Sequence, residues 1–294
     1  MLSQTIGRIQ QKEQVSLSYC CRLFGISRQA IYQSRNRLTK REQELLKVKH
    51  LVVTTRMKMP RLGARKLHYL VKDQLLELNI KLGRDALFDY LRRENLLIFP
   101  KKNYIKTTNS KHWMRKHPNL LKDKVINGPE QVFVSDITYI KSKERTHYLS
   151  LVTDAYSRKI MGHKFSDDMR AEHMVDAFKN AVGNRKLDTP VIHHSDRGLQ
   201  YCSEEFQNVL KQNNGIASMT DGYDCYQNAL AERMNGILKQ EFLIHKCNNG
   251  KELSKLINES IDVYNQNRPH LSLKMKTPNF VHEKTEEDIL FGLN

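Results

Sequence analysis

The feature that most constrains this chain is a break in texture at residue 127. Beyond it, the runs QVFVSDITYI and THYLSLVTDAYSRKIMGHKF are β-branched and aromatic, and read as three successive strands joined by hairpins. AEHMVDAFKNAV is an amphipathic helix, and PVIHHSD is a short buried strand ending in a polar cluster. SEEFQNVLKQNN reads as helix, IASMT as strand, and QNALAERMNGILKQEFLIHK as one long helix; KELSKLINESIDVYNQNR is a last helix, ending at Pro269. Three strands followed by alternating helix and strand predict an α/β fold, a mixed sheet with helices on its faces.

Before residue 127 the apolar residues recur at helical spacing. Leu17, Cys20, Cys21, Leu23 and Phe24 share a helix that Gly25 breaks. Ser27 then offers an N-cap and Ala30 and Ile31 resume an apolar face, the pattern of a helix-turn-helix or of a generic helical hairpin. Arg28, Gln29 and Tyr32 fall near the start of the second helix, where groove contacts are made. A charged helix at about 41–58 ends before Pro60. A second pair follows, with Leu67, Leu70 and Val71 on one helix, Leu87, Phe88 and Leu91 on the next, and Gly83 between them. Its outer side is predicted to carry Arg65, Lys66, Arg84, Arg92 and Arg93. Residues 100–126 are basic, rich in Ser, Thr and Asn, and read as a linker that orders on DNA. Within it Tyr104 and Trp113 can stack on bases or pack locally, packing being favoured. The domains expected are therefore 1–58, 59–99, a linker at 100–126, and 127–294.

Charge follows the same division. Residues 1–126 hold 28 Lys and Arg against 9 Asp and Glu, while 127–294 hold 21 against 23, so the net +17 of the chain lies entirely in its first half. Charge of that density points to a polyanion, nucleic acid above all. The five cysteines show no CxxC spacing, and no histidine pair stands at zinc-finger spacing from them. No stretch approaches the ~20 apolar residues that span a bilayer, and the polar N-terminus lacks an apolar signal core. The expectation is a reduced, cytoplasmic protein that meets nucleic acid and no membrane.

Three acidic residues sit where burial is expected. Asp136 interrupts the apolar run 132–140, Asp196 ends an apolar strand, and Glu232 follows Ala229, Leu230 and Ala231 on the long helix. Buried carboxylates are costly unless neutralised, and a divalent cation neutralises them best. Hard oxygen ligands suit Mg²⁺ or Mn²⁺. Two such ions about 3.5–4 Å apart can serve both the attacking and leaving oxygens of a phosphodiester. Asp154, Asp176, Asp221 and Asp224 are competing acids that turn or cap roles explain.

Thirty-five residues separate Asp196 from Glu232, and Lys239 follows two helical turns later. This spacing resembles the DD(35)E arrangement of DDE transposases and retroviral integrases. More narrowly, the ordered strings VSDITYI, DAYSRKIMG, HHSDRGLQY, QNALAERMNGILKQE, YNQNRPHLSL and TPNF resemble the OrfB product of the IS-three family of bacterial insertion sequences. CRLFGISRQAIYQ and LGARKLHYLV with GRDALFDYLRREN are similar to the helical segments preceding the catalytic core in those proteins. Gln227 and Arg233 depart from the family, which more often has Asp and Ser there.

The resemblance implies an RNase H-like five-stranded mixed sheet preceded by helix-turn-helix segments. It implies Asp136, Asp196 and Glu232 as catalytic metal ligands, with Mg²⁺ or Mn²⁺, two ions per site. Lys239 is implied near the scissile DNA end and Arg197 beside it. His193 and His194 are implied to support the site or to pack, and Asn228, Arg268 and His270 to be structural or DNA-proximal. The implied activity is cleavage of insertion-sequence ends and strand transfer by transesterification. A non-catalytic DNA-binding regulator and an RNase H-like nuclease are the rival readings. The implied partners are double-stranded DNA, further copies of the chain, and an upstream OrfA product or an OrfA–OrfB fusion. The chain shows no sustained heptad of its own.

Overall fold

The computed structural model describes residues 2–99, 113–122, 124–221 and 228–283. Tyr104, Asp224, Gln227 and most of the linker at 100–126 lie outside the described residues. Helices α1 (Leu2–Glu13), α2 (Leu17–Leu23) and α3 (Arg28–Lys58) open the chain. α1 answers to no expectation from the sequence. Its Ile6 fills the small cluster of Cys20, Cys21 and Ile31 that holds the three helices together. Ser16 and Ser27 cap α2 and α3 through their side chains, and Gly25 takes φ +63° between them, a conformation costly for any residue with a Cβ. Contrary to the sequence reading, α3 is one continuous helix of 31 residues rather than two. No Gly or Pro interrupts it before Pro60, so nothing breaks its ladder of hydrogen bonds.

α4 (Ala64–Glu77) and α5 (Arg84–Arg93) form the second pair. The sheet follows: β1 (Val132–Lys141), β2 (Thr146–Asp154), β3 (Ile160–Ser166), then α6 (Ala171–Gly183), β4 (Val191–Ser195), α7 (Leu199–Cys202), α8 (Glu204–Gln212) and β5 (Gly215–Met219). Its order is β3-β2-β1-β4-β5; the first three strands are antiparallel, and β4 and β5 run parallel to β1. Short segments join β1 to β2 and β2 to β3, as hairpins require. At the outer edge of β5, Met219 N donates to Pro118 O (3.3 Å) and Leu120 N to Ser218 Oγ (2.9 Å), so residues 118–120 strap that strand.

Alternation along β1 sends its side chains to two different layers. Phe133 joins the cluster of Phe178, Tyr201 and Phe206 under α6, α7 and α8. Val132 and Val134 pack instead against Ala231 of α9 (Ala229–Ile237). α9 passes into a π-helical turn, Leu238–Phe242, then come α10 (Gly250–Asn267) and α11 (Pro278–His282). The long helix read from 227–246 is thus shorter, and its winding changes at Leu238.

A single apolar cluster runs from Val48 and Val52 of α3 through Leu67, Val71, Leu87 and Leu91 to Leu149 and Leu151 of the sheet and Ile257 and Tyr264 of α10. The second helical pair therefore shares its core with the sheet. Asp154 is fully buried and accepts from Glu130 N, Ser157 N and Ser157 Oγ at 2.7 Å each, a turn role that answers the sequence reading. Among the described residues no helix is long and apolar enough to cross a membrane.

Candidate active site

Register brings the two aspartates together. β1 and β4 pair with a constant offset of sixty positions: Val132 with Ile192, Phe133 with His193, Val134 with His194. Asp136 and Asp196 each follow the last pair by two positions, past the end of β4, and the charge of Asp196 acts on the Asp136 carboxyl. Gly198 N donates to Asp196 Oδ1 (3.0 Å), turning the chain directly after the strand.

Asp136 lies on the even-numbered face of β1 and meets α9 there. Asn228 Nδ2 donates to Ser135 O (3.1 Å), Asn235 Nδ2 to Asp136 Oδ2 (2.8 Å) and Lys239 Nζ to Thr138 Oγ1 (3.0 Å). These three side chains stitch the helix to the strand on either side of Glu232. Asn235 and Thr138 were missed in the sequence. Their signals were spacing alone: Asn235 falls one turn after Glu232, and Thr138 two residues after Asp136 on the same strand face.

The electrostatics are those of crowded acid. Burial, and next the charge of Asp196, push the Asp136 carboxyl up to about 7, against the hydrogen bonds from Asn235 and Ile137 that favour its ionised form. Glu232 is also raised, by burial and then by Asp196. Its side of the helix is nevertheless exposed and Asp136 and Asp196 are half-buried, so the expectation of three buried acids is corrected. Its predecessors Ala229 and Leu230 face partly outward too, because the helix packs through Ala231, Met234 and Asn235. Among the described residues no group of three His, Cys, Asp or Glu side chains closes around a common point.

Other predicted site residues go elsewhere. His193 is packed between Phe178, Tyr201 and Phe206, its Nε2 2.8 Å from Ser135 Oγ, and burial lowers it to about 3. It is a neutral core histidine, since it is an odd-face neighbour in the register rather than a carboxylate neighbour. His194 is buried with Nδ1 2.8 Å from Ser218 Oγ. Arg268, 2 % exposed, pairs with Glu241 through Nε and Nη2 (2.8 and 2.7 Å) and sets Nη1 3.0 Å from His270 Nε2; burial and Arg268 depress His270 to about 2. Both are structural and brace the π-helical turn. Arg197 donates to Thr220 O (2.6 Å), beside Asp196.

Arg28, Gln29 and Tyr32 are exposed on the first turns of α3. Arg65 and Arg84 are exposed and Lys66 is not on the outer side. It turns inward to 3.8 Å from Glu241, and burial, then the charge of Arg268, lower it to about 8. All three line one cavity of about 660 Å³ with Arg61 and Glu241, between the second helical pair and the π-helical turn. Phe88 is half-exposed on the rim of the same cavity, because α5 packs through Leu87, Tyr90 and Leu91 instead. Trp113, expected to pack, is 90 % exposed; the neighbouring Met114 packs against the sheet in its stead.

A mixed sheet of this order, with one carboxylate in the middle of its first strand and another directly after its fourth, defines a class, and comparison with known proteins bears on it directly. Two models described as integrase core domain match residues 126–225 and 216–278. The chain is thus an integrase-core, DDE-type polynucleotidyl transferase. It is 33 % identical over 270 residues, 90 % of this chain and 97 % of the other, to the uncharacterized 31 kDa protein of insertion element IS600 from Shigella sonnei. It is also 33 % identical over 232 residues, 77 % of this chain and 79 % of the other, to the transposase InsF for insertion sequence IS3A from Escherichia coli K12. The protein belongs to the IS3 family of transposases. A solved neighbour is the HTLV-2 integrase catalytic core domain, at 22 % identity and a TM-score of 0.42, covering 53 % of this chain and 98 % of that one.

Proposed function

We propose that Asp136, Asp196 and Glu232 are the catalytic carboxylates of this transposase, and that they hold two Mg²⁺ or Mn²⁺ ions while it cleaves the ends of its insertion sequence and joins the freed 3′ end to new DNA. The observation that carries this reading is the Asp136–Asp196 pair. It is supported by the β1–β4 pairing that runs towards both acids and by the Asp136 carboxyl, which burial and then the charge of Asp196 push up to about 7. The donor set fits hard divalent cations: carboxylate oxygens only, with one acid whose ionised form a nearby cation would favour against its burial. When bound, such ions supply the charge that stabilises in-line displacement at phosphorus.

The chain's own groups have separable tasks. Asn235 fixes the direction of Asp136. Glu232, on the exposed side of α9, stays open to solvent, where an ion and DNA can reach it. Lys239, held over Thr138 at the far end of the same helix face, offers a cation to the phosphate backbone beside the reacting bond. Arg197 does the same from the Asp196 loop. Arg61, Arg65 and Arg84 around their shared cavity, with Arg28, Gln29 and Tyr32 on α3, extend the DNA-facing surface away from the chemistry. Two DNA ends must meet in one reaction, so the working form holds more than one copy of the chain. An upstream OrfA part supplies recognition of the terminal repeats.

Labelled DNA carrying the element's own ends tests this. Cleavage and joining are followed for wild type and Glu232→Gln, each in Mg²⁺ and in EDTA, with and without the upstream product. Metal-dependent products that fall to background in Glu232→Gln support the reading. Equal behaviour of both chains under every condition assigns the fold to DNA binding alone, and cleavage without joining makes it a nuclease.

A further inference from the structure

The loop that carries Asp196 runs into α7, and there one polar group is left over. Tyr201 is 2 % exposed, with its ring centroid 5.7 Å from that of His193 and 5.6 Å from that of Phe206, yet among the described residues its hydroxyl has no hydrogen-bond partner. A buried, unpaired hydroxyl costs about 1–3 kcal/mol, which phenylalanine in the same place would avoid.

Its surroundings place the ring close to both aspartates. A Cβ placed on Gly198 would lie 3.0 Å from Asp196 Oδ1 and 3.7 Å from Tyr201 Cδ2, so carboxylate and ring flank the same backbone atom. On its other side the ring rests on His193, whose Nε2 is 2.8 Å from Ser135 Oγ, one residue before Asp136. The ring therefore lies beside the loop of Asp196 and under β1, one residue before Asp136, close enough to both for their charges to act on its hydroxyl. Burial and the charges of Asp136 and Asp196 hold it protonated far above its ordinary range, so it serves only as a neutral group with a proton to donate.

We propose that Tyr201 is a positioning residue of the metal centre: its hydroxyl donates to the Asp136–Asp196 pair when a divalent cation draws the two carboxylates together, and so fixes them for ion binding. This rests on the reading of that pair as ion ligands. A donor behind a metal-ligating group fixes its direction, and losing such a donor weakens metal affinity about 10–100-fold.

Tyr201→Phe deletes one oxygen and keeps the ring. Mn²⁺ binding to the full chain without DNA is read from the electron paramagnetic resonance of the free ion, for wild type, Tyr201→Phe and Asp136→Asn. Thermal melting in EDTA checks the fold of each. The expected result is a Tyr201→Phe chain that melts in EDTA at or above the wild-type temperature, yet binds Mn²⁺ at least about tenfold more weakly. A merely structural tyrosine would give unchanged Mn²⁺ affinity, and that result, with Asp136→Asn defective, overturns this inference while the carboxylate reading stands. Equal Mn²⁺ binding by wild type and Asp136→Asn overturns both.

Discussion

Asp136 shows how one side chain can work against the fold that carries it. Its folded carboxyl titrates at about 7, whereas in the unfolded chain it titrates near ~3.9. The folded state therefore keeps a proton that the unfolded state has released. Without metal, stability falls as pH rises from roughly 4 to 7 and stays low above that. Asp136→Asn should melt higher than wild type at pH 8 in EDTA, by roughly 2–4 °C for each kcal/mol recovered, and should lose that advantage at pH 4. Mg²⁺ should raise the wild type and leave the variant unmoved. Differential scanning calorimetry at the two pH values decides it. This acid was legible in the sequence because an aspartate amid Val132, Val134 and Ile140 has few reasons to be there. Asn235 was not, because a neutral amide on a helix announces nothing until the strand it touches is known. Of the two readings open for His193, strand alternation selects packing: it stands three residues before Asp196, and it lies in the aromatic layer with Phe178 and Phe206.

At the scale of elements, close approach decides what the sheet tolerates. A Cβ on Gly162 of β3 would sit 2.3 Å from Ala177 O and 2.5 Å from Ala181 N, so α6 lies directly on that strand. Gly162→Ala should cost about 3 kcal/mol as helix and strand are forced apart, seen as a lower urea midpoint with an unchanged slope. Strand and helix existence was readable through 132–267 except for the four-residue α7, because period-2 and period-3.6 patterns are local and four residues are too few to show one. The π-helical turn at Leu238–Phe242 was not readable. It is braced by Arg268 on Glu241 and by Lys239 on Thr138, partners 27 and 101 positions away. The length of α3 was misjudged from a change of composition near residue 41, although composition without Gly or Pro does not stop a helix.

Over the whole molecule, the charge division at residue 126 is real as composition and poor as a guide to packing. The basic second helical pair buries Leu67, Leu87 and Leu91 in the same cluster as Leu149 and Tyr264. That continuity is invisible in sequence, since the contacts join residues far apart along the chain. Leu91→Ala should therefore destabilise the sheet as well as its own helix, by about 2–5 kcal/mol. Hydrogen exchange of β1 amides, measured in wild type and variant, should accelerate with that loss; protection unchanged in β1 would show the two parts opening independently.

The strap of residues 118–120 on β5 has a consequence for solubility. A strand with a bare outer edge is a template for pairing with another chain, and natural proteins cover or charge such edges. Here Pro118 and Leu120 occupy that edge, so the basic segment before the core is also its guard against aggregation. In the full chain, Pro118→Gly with Leu120→Pro, which loosens the strap and leaves the shared core intact, should form edge-to-edge oligomers in light scattering, whereas the wild type should stay monodisperse.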